Sequence, residues 1–229
     1  MRMVAVVLGG GIGQRLGAGQ PKQLLTLGRR TLVEHCVAAF AAAPGIDDIV
    51  VVMASGYIDQ VRALLAGYGK VSAVIPGGAT RSDSVRAGLD AVAASSGDCG
   101  VLLHDAARPL VDQRIIASCV AALADHEAVG TAVPTADTIV VAADGVMVHV
   151  PPRETLWRCQ TPQCFRLPVI MRAHQLAAAD PDYAPTDDCG VVLRYLPEVP
   201  VHIVTGSERN LKVTYPSDLA VAEALLSAC

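Results

Sequence analysis

Short β-branched apolar runs alternate with alanine-rich helical stretches through the first half of the chain, and no other feature restricts its fold as much. Residues 4–8, 49–53, 71–75 and 101–103 read as strands, and residues 31–43, 57–65, 81–94 and 112–124 carry helical periodicity between them. An unbroken apolar run suits a strand buried on both faces, and the intervening helices supply the cover. The pattern predicts an α/β fold, a Rossmann-like, doubly wound and mostly parallel sheet with right-handed crossovers. Apolar residues make up 52% of the chain but aromatics only 3%, so the core has to be built from Ala, Val and Leu. At 229 residues, a single domain spanning 1–229 is expected.

The rhythm breaks after residue 134. Residues 137–142 and 146–150 are extended runs joined at Asp144-Gly145, a hairpin turn signal. A hairpin without its own core must pack on something. A projecting β-hairpin arm at about 137–160 is therefore expected, reaching a second subunit in preference to folding back on the sheet. The α/β pattern resumes with helices near 167–179 and 187–195, a strand at 201–204, a short strand at 211–213 and a closing helix after Pro216.

Ligands of open α/β sheets collect beyond the carboxyl ends of the strands. The first strand runs straight into GGGIGQRLG, followed by Pro21 and Lys22. Glycines let backbone N–H groups close on an anion, and Arg15 and Lys22 add charge, so this loop points to a polyphosphate. It is not the dinucleotide fingerprint, whose last glycine would fall on Gln14 or Leu16. Nor is it a Walker A loop, because Lys22 follows proline and precedes Gln23.

Further clusters follow other strands. Gly77-Gly78 leads into a helix start carrying Arg81 and Ser84, which reads equally as a capped helix. His104-Asp105 and Arg108 follow a buried strand: Asp105 suits a divalent metal or a substrate hydroxyl and Arg108 a phosphate, with a structural Asp–Arg pair as the alternative. Thr138, Arg153 and the segment 160–163 lie around the hairpin, where polar groups suit a hydroxylated substrate and turn chemistry explains Thr161-Pro162 equally well. Lys212 alternates with apolar residues, the pattern of a solvated strand face. The other histidines lack ligand spacing and no Ser or Cys sits in a nucleophile elbow, which leaves positioning and charge stabilisation. A net charge of −4 argues against a nucleic-acid surface. Seven scattered cysteines without C-x-x-C fit reduced thiols in a cytoplasmic protein. No secretory leader and no membrane span are expected.

Taken in order, GGGIGQRLG…PKQ, GGATRSDSV, HDAARP, ADTI, a basic residue before QTPQCF, TDD and NLKVTYP resemble the cytidylyltransferases that activate alditol phosphates with CTP, along nearly the whole chain. The resemblance implies a β-arm homodimer and a Mg²⁺–CTP site. It implies that Gly10, Gly11, Gly13, Arg15 and Lys22 bind the triphosphate, and that Gly78, Arg81, Ser84 and Ala106 surround the cytosine and ribose. Asp105, Arg108, Thr138, Arg153, Thr161, Thr186 and Lys212 would face the alditol phosphate, and Mg²⁺ would sit on the CTP phosphates, with Asp105 as the protein residue that alternatively holds it. Lys22, Lys212 and Arg15 would be the catalytic cations. Ala79 departs from the family, whose members often carry aspartate there; base selectivity is the property this touches. Two branches are close. HDAARP and RETLW look like the 2-C-methyl-D-erythritol 4-phosphate branch, whereas LGGG, VPPR and TDDCGVVLRYLPEVP look more like the D-ribitol 5-phosphate branch, which the balance slightly favours. A nucleotide-sugar pyrophosphorylase and a non-enzymatic nucleotide-binding module are the alternatives.

Overall fold

A computed structural model describes residues 1–10 and 20–228. The first strand, β1 (Met3–Gly9), is buried along its whole length. After a single helical turn at Lys22–Leu24, a small ladder of β2 (Thr26–Leu27) and β3 (Arg30–Thr31) leads into α1 (Leu32–Ala42). That helix opens on a capping box: Thr31 Oγ1 accepts from Glu34 N–H, and the Glu34 carboxylate accepts from Thr31 N–H. There follow β4 (Asp48–Met53), α2 (Ile58–Leu64), β5 (Val71–Pro76), α3 (Arg81–Ser96), β6 (Gly100–Asp105) and α4 (Gln113–Asp125). These elements lie where the alternation predicts them.

The second half holds β7 (Ala128–Pro134), the pair β8 (Val141–Ala143) and β9 (Val146–His149), and β10 (Trp157–Arg166). It closes with α5 (Leu167–Ala178), α6 (Asp188–Tyr195), β11 (Val201–Thr205) and α7 (Pro216–Ser227). Seven strands form one sheet in the order β11-β7-β10-β6-β1-β4-β5. All neighbours run parallel except at β10, which is antiparallel to both β6 and β7. The winding is double, as the alternation predicts. Met3, Ala5 and Val7 face a core shared with α1 and α4, while Val4, Val6 and Leu8 face one shared with α3, α5 and α6.

Two strands were not legible. β7 (AVGTAVP) is interrupted by glycine and ends in proline, and β10 carries Gln160, Pro162 and Gln163 in its interior. Proline cannot donate to a ladder. A register shift between Cys159 and Gln163 takes Pro162 out of the pairing, and Thr131 Oγ1–H donates to the Pro162 carbonyl at 2.6 Å. The expected strand at 211–213 is a correction in the other direction. This segment forms no strand pair among the described residues and is tied by Val213 N–H to the Ala107 carbonyl, while Val213 packs beside Leu27, Leu32 and Ala222 beneath α7.

The arm is present but shorter than predicted, since residues 137–140 are not strand. Asp144 and Gly145 both take positive φ (50° and 78°), as a two-residue turn of this hand requires. Among the described residues β8 and β9 pair only with each other, and Val141, Val146, Met147 and Val148 are exposed. Among the described residues, no helix is long and apolar enough to cross a membrane.

Candidate functional site

Strand order reverses at β1. The chain builds outward through β4 and β5, then returns to place β6 on the other side of β1. That switch point opens at the carboxyl ends of the strands, where ligands of such sheets bind. A cavity of about 480 Å³ lies there. Gly10 enters it from the end of β1, Gly78, Arg81 and Ser84 from the β5–α3 junction, and Asp105 from the end of β6. Lys22 and Gln23 enter from the turn after the glycine loop, and Lys212 and Thr214 from the segment before α7. Ala79 also lines it. Gly11, Gly13 and Arg15 lie outside the described residues.

The glycines at the β1 and β5 ends are there for space. A Cβ on Gly10 or on Gly77 would sit 2.6 Å from Ser84 Oγ, and one on Gly78 would sit 2.2 Å from Asp83 Cβ. Ser84 Oγ accepts from Gly78 N–H at 3.2 Å and donates to the Thr80 carbonyl at 3.1 Å, which fixes the loop against the helix. The helix start is also a capping box, Thr80 with Asp83. The structural reading of this motif therefore holds beside the lining of the cavity.

Electrostatics centre on Asp105. Lys212 Nζ stands 2.6 Å from its Oδ2, and Arg81 Nη2 stands 3.6 Å from its Oδ1. Burial opposes the charge of this carboxylate, but Lys212 and then Arg81 more than offset it and hold its pKa well below the usual range. Arg81 makes its closer pair with Asp188, at 3.1 and 2.7 Å through both nitrogens. Lys22 Nζ donates to the Val213 carbonyl at 2.8 Å, which brings the two lysines to neighbouring positions on the cavity wall.

Behind Asp105 is a dry hydrogen-bond chain. Burial pushes the His104 pKa down to about 4, so its ring is neutral near pH 7. Nε2 faces the Arg108 carbonyl at 3.1 Å, an acceptor only, so the proton sits on Nε2. Nδ1 then accepts from the Thr161 hydroxyl at 3.0 Å, and Thr161 Oγ1 accepts from Asp105 N–H at 3.1 Å. Thr161 thus braces the backbone of Asp105 and does not line the cavity. Arg108 is turned the same way, with Nη1 donating to the Asn210 carbonyl and Nη2 to that of Cys159, while its buried Nε has no partner among the described residues.

Four other predicted residues stay outside the cavity. Ala106 is packed in the core and its neighbour Ala107 takes the lining position. Thr138 and Arg153 are exposed on and beside the arm, and Thr186 is exposed ahead of α6. Residue-by-residue reading missed Gln23, Asp188 and His174, and took Gln163 only as part of the polar segment 160–163. Gln23 is buried beside Lys22, and its Oε1 has no partner among the described residues. The only signals for the others were the TDD and QTPQ motifs, since a histidine on a helix face reads as core.

A metal fits this donor set in one way. Among the described residues, no cluster of three or more His, Cys, Asp or Glu could hold an ion. Asp105 is a single ionised oxygen donor at the cavity edge, which suits a cation that takes one carboxylate and draws its other ligands from phosphates and water.

The profile of the family described as 2-C-methyl-D-erythritol 4-phosphate cytidylyltransferase matches residues 3–228. The enzyme of that name from Thermobifida fusca is 54% identical over 98% of this chain and 93% of the relative. A bifunctional ribulose 5-phosphate reductase/CDP-ribitol pyrophosphorylase from Haemophilus influenzae is 34% identical over 98% of this chain and 48% of that longer protein. Among solved structures, a 4-diphosphocytidyl-2C-methyl-D-erythritol synthase from Anaerococcus prevotii superposes with a TM-score of 0.88 at 25% identity, covering 99% of this chain and 96% of the other. The chain belongs to the 2-C-methyl-D-erythritol 4-phosphate cytidylyltransferase family, and it is an enzyme of the nucleotidyltransferase class, a cytidylyltransferase.

Proposed function

We propose that this chain, as one catalytic unit spanning 1–229, transfers the cytidylyl group of CTP to 2-C-methyl-D-erythritol 4-phosphate and releases pyrophosphate. The observation that carries the reaction class is the convergence of Lys22, Lys212, Arg81 and Asp105 on one cavity at the switch point, with Lys212 and Arg81 paired to Asp105. The acceptor reading rests on the relatives. The sequence motifs lean slightly toward D-ribitol 5-phosphate, but the 54% identical relative carries the methylerythritol name and the ribitol-type relative stands at 34%.

The chemistry needs no protein nucleophile. A phosphate oxygen of the acceptor forms a bond to the α-phosphorus of CTP as the bond to the β-phosphate oxygen breaks, and pyrophosphate carries away the electron pair. Lys22 and Lys212 neutralise charge that builds on the α-phosphate. Gly10, Gly78 and Ser84 shape the nucleotide end of the cavity. Asp105 would hold Mg²⁺, which supplies neutralisation of the triphosphate when bound. Asp105 also keeps Lys212 at the cavity wall. Two further parts belong to this reading: a second copy covers the exposed apolar arm, and the free thiols fit a cytoplasmic setting.

The test is pyrophosphate release with Mg²⁺, each of the four nucleoside triphosphates and either polyol phosphate. Release with CTP and the methylerythritol substrate is expected. Release only with ribitol 5-phosphate would move the acceptor to the other branch, and no release with CTP and either acceptor would overturn the reading.

A further inference from the structure

Arg81 reaches the cavity on a scaffold that the reaction itself does not account for. Its carboxylate partner Asp188 is the first residue of α6 and has no solvent exposure. His174, on α5 and also buried, donates from Nε2 to Asp188 Oδ1 at 3.0 Å; the carboxylate only accepts, so Nε2 carries the proton. From β10, Gln163 Oε1 accepts from Asp188 N–H at 2.8 Å and Cys189 N–H at 3.0 Å, and its Nε2 donates to Asp187 Oδ2 at 3.0 Å. Asp188 is thus held from α5 at its carboxylate and from β10 at its backbone N–H, and the carboxylate grips both terminal nitrogens of Arg81.

Burying such a pair rarely adds net stability, because desolvation consumes most of the attraction. What the arrangement does supply is orientation. A guanidinium on a flexible stem becomes a fixed donor only when its fork is matched in two places. The Arg81 side chain keeps 29% of its surface exposed and lines the cavity beside Ser84, 3.6 Å from Asp105.

We propose that Asp188 and His174, clamped by Gln163, are positioning residues that hold Arg81 for nucleotide binding; this rests on the cytidylyltransferase reading above. Gln163 of the QTPQ motif and Asp188 of the TDD motif then serve the nucleotide from behind the wall.

The test is a set of variants assayed in the whole enzyme: Asp188→Asn, His174→Leu, His174→Gln and Arg81→Gln. Asp188→Asn is isosteric, so it tests the idea even where His174→Leu destabilises the fold. Asp188→Asn and His174→Leu should raise the KM for CTP roughly tenfold or more, the range for a lost charge-assisted hydrogen bond, and leave the KM for the polyol phosphate unchanged. His174→Gln, whose amide can still donate to Asp188, should restore most of the loss. In the Arg81→Gln background, Asp188→Asn should add nothing further, because residues acting through one group are non-additive. Equal rises in both KM values, additive losses in the double variant, or lowered melting with an unaltered KM for CTP would each overturn the proposal. A wild-type enzyme that does not use CTP would overturn the functional reading instead.

Discussion

Replacing Lys212 with alanine should separate what the site does for folding from what it does for turnover. Unit charges at the 2.6 Å separation of Lys212 and Asp105 would attract by about 6 kcal/mol at an effective dielectric near 20. That figure is an upper bound, because the Lys212 side chain is 44% exposed and water screens it. Exposed pairs of this kind contribute about 1 kcal/mol or less. Arg81 remains to hold Asp105 ionised, so the expected loss in melting temperature is about 2–4 °C for a chain of this size. Turnover should fall by roughly a hundredfold or more, since the ammonium acts on charge that develops in the transition state. Acid titration of stability adds a second readout. The Asp105 pKa is depressed in the folded state, so the stability it contributes is present above the unfolded-carboxylate value of about 4 and is lost as pH falls below it. Without Lys212 the folded pKa moves back toward the unfolded one, and the acid-side decline should become shallower. Differential scanning calorimetry across pH, with pyrophosphate release at saturating substrates, measures both effects. Turnover within tenfold of wild type, or a melting loss too large for one screened pair, would refute the reasoning.

Three other variants probe the frame around the site and the arm. Gly88→Ala would place a Cβ 2.6 Å from Val6 Cγ1 and 3.2 Å from Val52 Cγ2, pushing α3 off the sheet. A destabilisation of about 1–3 kcal/mol should accompany weaker CTP binding, because Arg81 and Ser84 ride on that helix; unchanged melting would contradict it. Thr161→Val strips the hydrogen-bond partner from both Asp105 N–H and His104 Nδ1, so chemical denaturation should show a loss of about 2–4 kcal/mol, and a loss below 1 kcal/mol would show that the chain behind Asp105 carries little. Met147→Glu with Val148→Lys, on the exposed arm, should shift sedimentation from dimer toward monomer, and a wild-type chain that already sediments as a monomer would end the dimer proposal.

How much of this was legible from residue order depends on whether a signal is local. β1, β4 and β6 are buried on both faces, so each leaves an unbroken apolar run that no helix pattern mimics. β10 leaves none: its interior glutamines are stabilised by partners elsewhere, Gln160 donating to the Ser207 carbonyl and Gln163 gripping the start of α6. Pro162 then completes the disguise, because a bulge makes a proline tolerable where the sequence alone reads a turn. The alternation at Leu211-Lys212-Val213 misleads in reverse. Packing beneath α7 buries Val213 and not Lys212, which produces a period of two without any ladder. The site follows the same logic. Its cations and glycines sit just after strands and can be found one loop at a time. Their partners cannot, since Arg81 meets Asp188 and Lys212 meets Asp105 across more than 100 residues of sequence. The role of a charged residue here is set by which opposite charge the topology delivers to it. Asp105 shows the consequence: it ends a legible strand, yet only the pairing with Lys212 and Arg81 makes it an ionised carboxylate at the mouth of a cavity and not a neutral acid at a buried strand end.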